Sequence, residues 1–487
     1  MLTSILYLPA PGLTIPRRRR KPTLCRTVYD TPRKPFDTQA TLNLAARYLR
    51  PFILTLATLI TLLTYALPHL GTPIPASRLD IVLLLAAIVP ARWLGWVNCA
   101  CLLLPLNLEV AGQPLATKSG PAEKCTPTEK PAEPPPRLLL CLVTRGRNAS
   151  AVHRSVAALL PSLSAAQSSI LPAELHIVTE PGTTGRFHAL TSHPYITLHV
   201  IPDTYLPPVA QHKARALSFF LSVTRPGADD WILHLDEETV LDAHALAAAR
   251  AVAARGEVDM AQGVLQYNAY AHWSSSLWTV ADCARAGEDW GRYSWQCVWA
   301  GRSVWGLHGS WLLVRGGAEC EIGWETGCLA EDYWFGVEAQ KRGYKLGWIP
   351  AIAREQPPTS LADFVRQRRR WAAGLWSMGE VCARVYILTW AWGLAEGLLR
   401  LYFLASGGPR RLPWWLLLML CLENGFSLAG MAWGVLVQDY DAGLPWGTVV
   451  RHCLLGLVIG PLVGWLGSFA AVSALLVEVG GFYVIQK

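Results

Sequence analysis

Residues 231–242 read Trp-Ile-Leu-His-Leu-Asp-Glu-Glu-Thr-Val-Leu-Asp, and the fold turns on them. A short apolar run, Trp231–Leu235, stops abruptly at three acids, Asp236-Glu237-Glu238. Such a run, bounded by a polar turn, reads as a buried strand. Upstream, Leu138–Val143, Leu175–Val178 and Ile196–Ile201 repeat the pattern, separated by stretches of helical periodicity. Alternation of this kind predicts an α/β domain with a largely parallel sheet, whose ligand lies off the carboxyl ends of the strands. Side chains two apart on an extended chain share a face, so Asp236 and Glu238 point to one site. Hard cations such as Mg²⁺ or Mn²⁺ take such oxygen ligands together with substrate phosphates. The same residues also suit a helix N-terminus capped by Asp236 or Thr239.

The sheet domain is embedded in a very apolar chain. Of 487 residues 52% are hydrophobic and only 16% charged, against about 25% charged in ordinary soluble domains. This excludes a disordered protein and an ordinary soluble enzyme. The 12 cysteines are scattered without a CxxC pair, which argues against a zinc ribbon or a thioredoxin-type site. Pro51–Leu70 and Ile81–Leu108 read as two transmembrane helices, and Val381–Ala405, Leu412–Val437 and Cys453–Val477 as about three more. Residues 1–50 carry ten Lys/Arg against Asp30 and Asp37, which equals the net +8 of the whole chain. A basic tail beside an apolar span anchors on the cytosolic face. No nucleic-acid module follows it. By the same charge logic Arg410-Arg411 belongs on the cytosolic side and Asp439/Asp441 on the opposite one, whereas a simple count of five spans places Arg410-Arg411 on the lumenal side. The expected organisation is a tail (1–50), two spans (51–110), a Pro-rich linker (111–136), the α/β domain (137–358), an amphipathic interfacial helix (359–378) and C-terminal spans (379–487).

Two further motifs carry chemistry. In Leu329–Gly336 (LAEDYWFG), Glu331-Asp332 precede three aromatics; a carboxylate in such a partly dry pocket can act as a general base, and the pair equally suits a helix cap. In Gln367–Trp371 (QRRRW), Arg370 can hold a diphosphate by two hydrogen bonds and Trp371 can stack on a sugar. A lipid-facing interfacial helix would show the same residues.

Taken in order, Asp236-Glu237-Glu238, then Glu331-Asp332, then Gln367-x-x-Arg370-Trp371, then apolar helices, the series resembles the family-2 inverting glycosyltransferases, the group of cellulose, chitin and hyaluronan synthases and ceramide glucosyltransferase. The segments LVTRG (Leu142–Gly146), HKARAL (His212–Leu217), HLDEET (His234–Thr239), GLHGS (Gly306–Ser310), AEDYWF (Ala330–Phe335) and QRRRW are similar to the egghead-type β-1,4-mannosyltransferases. The long basic tail, the Pro-rich linker and the Trp-rich stretch 271–302 are outside that pattern.

The resemblance implies a GT-A-type domain and transfer of mannose from GDP-mannose to the 4-hydroxyl of glucosylceramide. It implies that Thr144, Arg145, Glu180, Lys213, Asp236 and Arg370 hold the nucleotide. Glu238 and Asp236 would hold a divalent cation, Mg²⁺ or Mn²⁺. Asp332 would be the base, and Gly309, Ser310, Glu331, Gln367 and Trp371 would line the acceptor site. It places the enzyme in the ER or Golgi membrane with its catalytic domain in the cytosol, among membrane lipids. A processive polysaccharide synthase or a ceramide glucosyltransferase using a UDP-sugar is the rival within enzymes. A catalytically silent membrane scaffold or transporter subunit is the rival outside them.

Overall fold

The computed structural model describes residues 36–66, 74–105, 135–168, 171–270, 272–406 and 410–477. The basic tail before residue 36 and the Pro-rich linker up to residue 134 lie outside the described residues. Seven strands form one sheet in the order β3-β2-β1-β4-β6-β5-β7. They are β1 (Leu138–Thr144), β2 (Ala173–Thr179), β3 (Ile196–Val200), β4 (Trp231–Asp236), β5 (Met260–Gln266), β6 (Leu312–Arg315) and β7 (Leu346–Arg354). Only β6 runs against its neighbours; the other pairings are parallel. This is the mostly parallel arrangement that the apolar runs predict, and it agrees with the GT-A-type domain that the resemblance implies. β1 is buried along nearly its whole length, because helices cover both faces of a parallel sheet.

The helices of this domain are α3 (Ala149–Ala165), α4 (His212–Thr224), α5 (Ala243–Arg255), α6 (Ser276–Glu288), α7 (Gly316–Ile322), α8 (Glu331–Lys341) and α9 (Leu361–Ser377). In register, Val143 of β1 lies opposite Asp236, and Thr144 opposite Thr179. The carboxyl ends of β1, β2 and β4 therefore share one rim. β2 and β4 leave β1 on opposite sides, which makes this rim the crevice where such sheets bind ligands.

Five long helices flank the sheet: α1 (Thr38–Ala66), α2 (Arg78–Leu102), α10 (Val381–Ala405), α11 (Trp414–Asp441) and α12 (Trp446–Leu476). Of these, α1, α2, α11 and α12 are long and apolar enough to cross a membrane. α10 carries Arg384, Glu396 and Arg400. It runs antiparallel to α2, with Trp93 Nε1 donating to Thr389 (2.7 Å) and Trp392 Nε1 to the Ala86 carbonyl (3.0 Å).

Charge alone misplaces two connections. Arg410-Arg411 pairs with Ile74-Pro75 between α1 and α2, at the end of the bundle away from the sheet. Asp439 and Asp441 sit at the other end, buried against the sheet domain. Asp441 accepts from Arg354 Nε (2.7 Å) and Nη2 (2.6 Å), and Asp439 meets His272 (3.2 Å) and His452 (2.7 Å). These acids are internal ion-pair partners, so they report nothing about the solvent on either side.

The last helix departs from a plain span as well. Gly456 lies against Val435 and Gly460 against Met431 of α11. Further along, Trp465 lies against Gly397 and Ser468 against Gly393 of α10. α12 thus packs first on α11 and then on α10 as one continuous helix with Pro461 inside it, ending with Ala471 and Leu475 beside Ala330 and Ala372. Proline removes one ladder hydrogen bond and bends a helix at that point.

The sheet and the bundle share a core. Val264 and Ile352 of the sheet pack with Ile53, Trp290 and Trp433. α6 crosses α11 so closely that a Cβ on Gly434 would strike the Cys283 carbonyl.

Candidate active site

The rim leads into a cavity of about 1430 Å³. At its upper end the hub is Lys213, in the first turn of α4. Its ammonium donates to Asp236 Oδ1 and to the Gly309 carbonyl (2.7 Å), and lies 4.0 Å from Glu331 Oε1. Burial alone would lower its pKa, but Asp236 and Glu331 outweigh that and hold it charged. Gly309 is required here by space: a Cβ on it would lie 3.0 Å from Lys213 Nζ and 3.1 Å from Asp332 Oδ2. Lys213, Asp236, Gly309, Glu331 and Asp332, distant in sequence, thus meet at one point.

Glu331 and Asp332 open α8. Asp332 Oδ1 accepts the Tyr333 backbone N–H (2.8 Å). Its partner Glu331 is buried, and desolvation first, then the charge of Asp332, push its carboxyl up to about 7. The three acids after β4 diverge. Glu237 is committed to Thr144 Oγ1 (2.6 Å) and to Asn148 Nδ2. Burial, then Glu238, raise its pKa. Asn148 heads the sequon Asn148-Ala149-Ser150, so the amide a glycan would need is buried in this contact.

Asp236 and Glu238 both line the cavity. Among the described residues no three His, Cys, Asp or Glu side chains converge as a metal ligand set. Two carboxylates still fit Mg²⁺ or Mn²⁺, which are held by one or two protein oxygens plus phosphates and water.

Thr144 and Ser310 line the same cavity and also brace it. Thr144 is 4% exposed; its hydroxyl binds Glu237 and accepts the Gly146 N–H (2.9 Å), so it braces the rim. Ser310, expected at the acceptor, shares its hydroxyl with Thr239 (2.6 Å) and thereby steadies the turn that carries Asp236. Arg145, Glu180, Gln367, Arg370 and Trp371 line the cavity as anticipated. The positive charges of Arg145 and Arg370 both act on His212, whose pKa is lowered by burial first and by those charges next.

Other residues carry no local signal. Arg215 holds Glu180 (3.0 Å). Trp371 is clamped between Arg285, 4.6 Å from its ring centre, and Arg368, 4.4 Å away. Asp282 binds both arginines, at 3.3 and 2.7 Å. His308 pairs with Asp289 (2.9 Å), whose other oxygen accepts the Leu265 N–H (2.8 Å). Asp282, Arg285 and Asp289 come from the Trp-rich stretch, which folds as α6 and wide π-type turns, a geometry frequent at functional sites. The pattern HKARAL offered a hint of Arg215, two residues after Lys213.

The profile described as glycosyl transferase family group 2 matches residues 231–483, just over half the chain, and the chain belongs to that family. Over 196 residues it is 31% identical to beta-1,4-mannosyltransferase bre-3 of Caenorhabditis elegans, covering 38% of this chain and 42% of that protein. Over 192 residues it is 31% identical to beta-1,4-mannosyltransferase egh of Drosophila melanogaster, with the same coverages. The aligned part spans under half the length of these relatives. Among solved structures, S. aureus TarS 1-349 aligns with a TM-score of 0.31 and 12% identity, covering 67% of this chain and 90% of that one.

Proposed function

We propose that the protein is a membrane-embedded, inverting hexosyltransferase that moves mannose from GDP-mannose to the 4-hydroxyl of glucosylceramide. The observation that carries this reading is the meeting of Lys213, Asp236 and Asp332 at the rim of the sheet, in a chain related to two β-1,4-mannosyltransferases. Glu180, kept in place by Arg215, and Arg145 hold the nucleoside. Lys213 and Arg370 face the diphosphate and stabilise the charge that grows on it as it leaves. Trp371, held by Arg285 and Arg368, lines the cavity on the acceptor side. Asp332 Oδ2 takes the proton from the acceptor hydroxyl as that oxygen bonds to the anomeric carbon and the carbon–phosphate oxygen bond breaks. A single displacement of this kind inverts the configuration and needs no enzyme nucleophile. Asp236 and Glu238 would hold a divalent cation, which supplies Lewis-acid stabilisation of the diphosphate when bound. The basic tail favours an ER or Golgi membrane placement with this site in the cytosol.

The test is incubation of the purified chain with GDP-mannose or UDP-glucose, and glucosylceramide or ceramide, with the lipid product identified. A mannosyl-β-1,4-glucosylceramide product is expected. A product formed only from UDP-glucose would replace this reading with ceramide glucosyltransferase or polymer synthesis. Nucleotide choice is checked independently by thermal unfolding. GDP at a hundred times its dissociation constant should add about 2.7 kcal/mol of stability, and UDP at the same concentration clearly less.

The cation has its own check. Saturating EDTA should abolish transfer, with Mn²⁺ or Mg²⁺ restoring it, and Glu238→Ala should lower it roughly 10²-fold. Full activity in EDTA would remove the cation from the mechanism.

A further inference from the structure

The cavity does not end at the active site. It continues between α2, α10, α11 and α12 to Arg400 and Leu401. From Arg400 to the end of α10 at Ala405 is about 7 Å at 1.5 Å per residue. Residues from Arg400 up to Asp332 line this one cavity. A bilayer's hydrocarbon core is about 30 Å thick, and α10 follows this slot for most of that depth.

The two walls differ. One is ionic: Arg92 binds Glu396 through Nε (2.7 Å) and Nη2 (2.9 Å) and Glu423 through Nη1 (3.0 Å), and Arg400 binds Glu396 (2.6 Å). Asn424 and Ser427 extend it. Ionisable groups at this depth are costly and are retained where they face a polar path. The opposite wall is apolar and open. Pro461, Leu462 and Leu401 line the slot and also face outward, the two leucines each 49% exposed. Pro461, where α12 lacks one ladder hydrogen bond and bends, lies on this exposed side of the slot.

A sugar headgroup matches the ionic wall, being uncharged and rich in hydroxyls. Lipid tails match the open side, where they would stay in the bilayer while the headgroup moved. Resting on the membrane-transferase reading above, we infer that this slot conducts the hexosyl headgroup of a glycolipid between the far leaflet and the active site. The enzyme then exchanges glycolipid across the membrane as well as extending it.

The experiment needs no sugar donor, so its outcome is separable from that of the transfer assay. The full chain is reconstituted in phosphatidylcholine vesicles containing glucosylceramide with a fluorophore on its acyl chain. Dithionite added outside destroys only outer-leaflet fluorescence. Protein-free vesicles should lose about half their signal, and vesicles with the protein nearly all of it. Gly464 lines the slot, and a Cβ there meets nothing within 4 Å, so Gly464→Trp plugs it without a core clash. That variant should keep thermal stability and return the loss to about half. Exchange no greater than in protein-free vesicles, or exchange undiminished in a stably folded Gly464→Trp, overturns the inference. So does a variant whose only defect is weaker acceptor binding, since the slot would then hold a lipid tail.

Discussion

Asp332→Asn should lower transfer by roughly 10²–10⁴-fold, the usual cost of losing a positioned base, and leave nucleotide binding nearly intact. The substitution is close to isosteric, so Gly309 and Lys213 keep their neighbour and the fold is undisturbed. Only the capacity to accept the acceptor proton disappears. The neighbouring acid supplies the control. Burial and Asp332 hold the Glu331 carboxyl up to about 7, so near neutrality much of it carries a proton already. Glu331→Gln resembles that protonated form and should cost far less than Asp332→Asn. The checks are single-turnover rate with GDP-mannose in excess and GDP affinity by calorimetry. A fast Asp332→Asn beside a dead Glu331→Gln would transfer the role of base to Glu331.

The second large effect concerns stability. Arg354, at the end of β7, is fully buried. It binds Asp441 of α11 through two nitrogens, Asp242 before α5 (3.0 Å) and Thr38 at the start of α1 (2.8 Å). Removing one partner of a buried ion pair strands the other charge, at a cost of about 3–5 kcal/mol. Arg354→Met should therefore destabilise the chain by that amount and leave little folded protein in detergent at growth temperature. Arg354→Met combined with Asp441→Asn and Asp242→Asn should recover part of the loss, because the orphaned charges go too. A single variant that melts like the wild type would show the cluster to be dispensable. Size-exclusion profiles and thermal melts of the two variants decide the point.

How far the sequence predicts this structure varies along the chain. β1 to β4 are contiguous apolar runs, and each appears within two residues of the expected bounds. β5 (MAQGVLQ) is polar and glycine-containing, and β7 (LGWIPAIAR) contains Pro350, a residue that argues against a central strand. The register explains its tolerance: Gln262 pairs with Trp348, but Val264 pairs with Ile352, so the proline falls in a bulge. Pro350 sits mid-strand. The motif acids were legible because their spacing is local and their chemistry narrow, and Lys213 only through the resemblance of HKARAL. Asp282, Arg285 and Asp289 were not, since their significance arises only when Arg368, Trp371 and His308 arrive from 19 to 86 residues away. The charges at Asp439, Asp441, Arg410 and Arg411 misled for the same reason. A loop rule counts charges, and long-range pairing had already claimed two of them.

The mixed core of sheet and bundle bears on how this chain can be handled. In many membrane proteins a catalytic head can be cut from its anchor and expressed alone. Here Val264, Ile352 and Trp290 would lose Ile53 and Trp433, and Arg354 would lose Asp441 and Thr38. An excised fragment 137–378 would present that seam to water as a sticky apolar face, with Arg354 left to Asp242 alone among its side-chain partners. Truncation is the wrong route to a crystal or a soluble reagent for this chain. Detergent or nanodisc extraction of the undivided chain is the right one, and inherited lesions in the flanking helices should silence catalysis as surely as lesions at the rim.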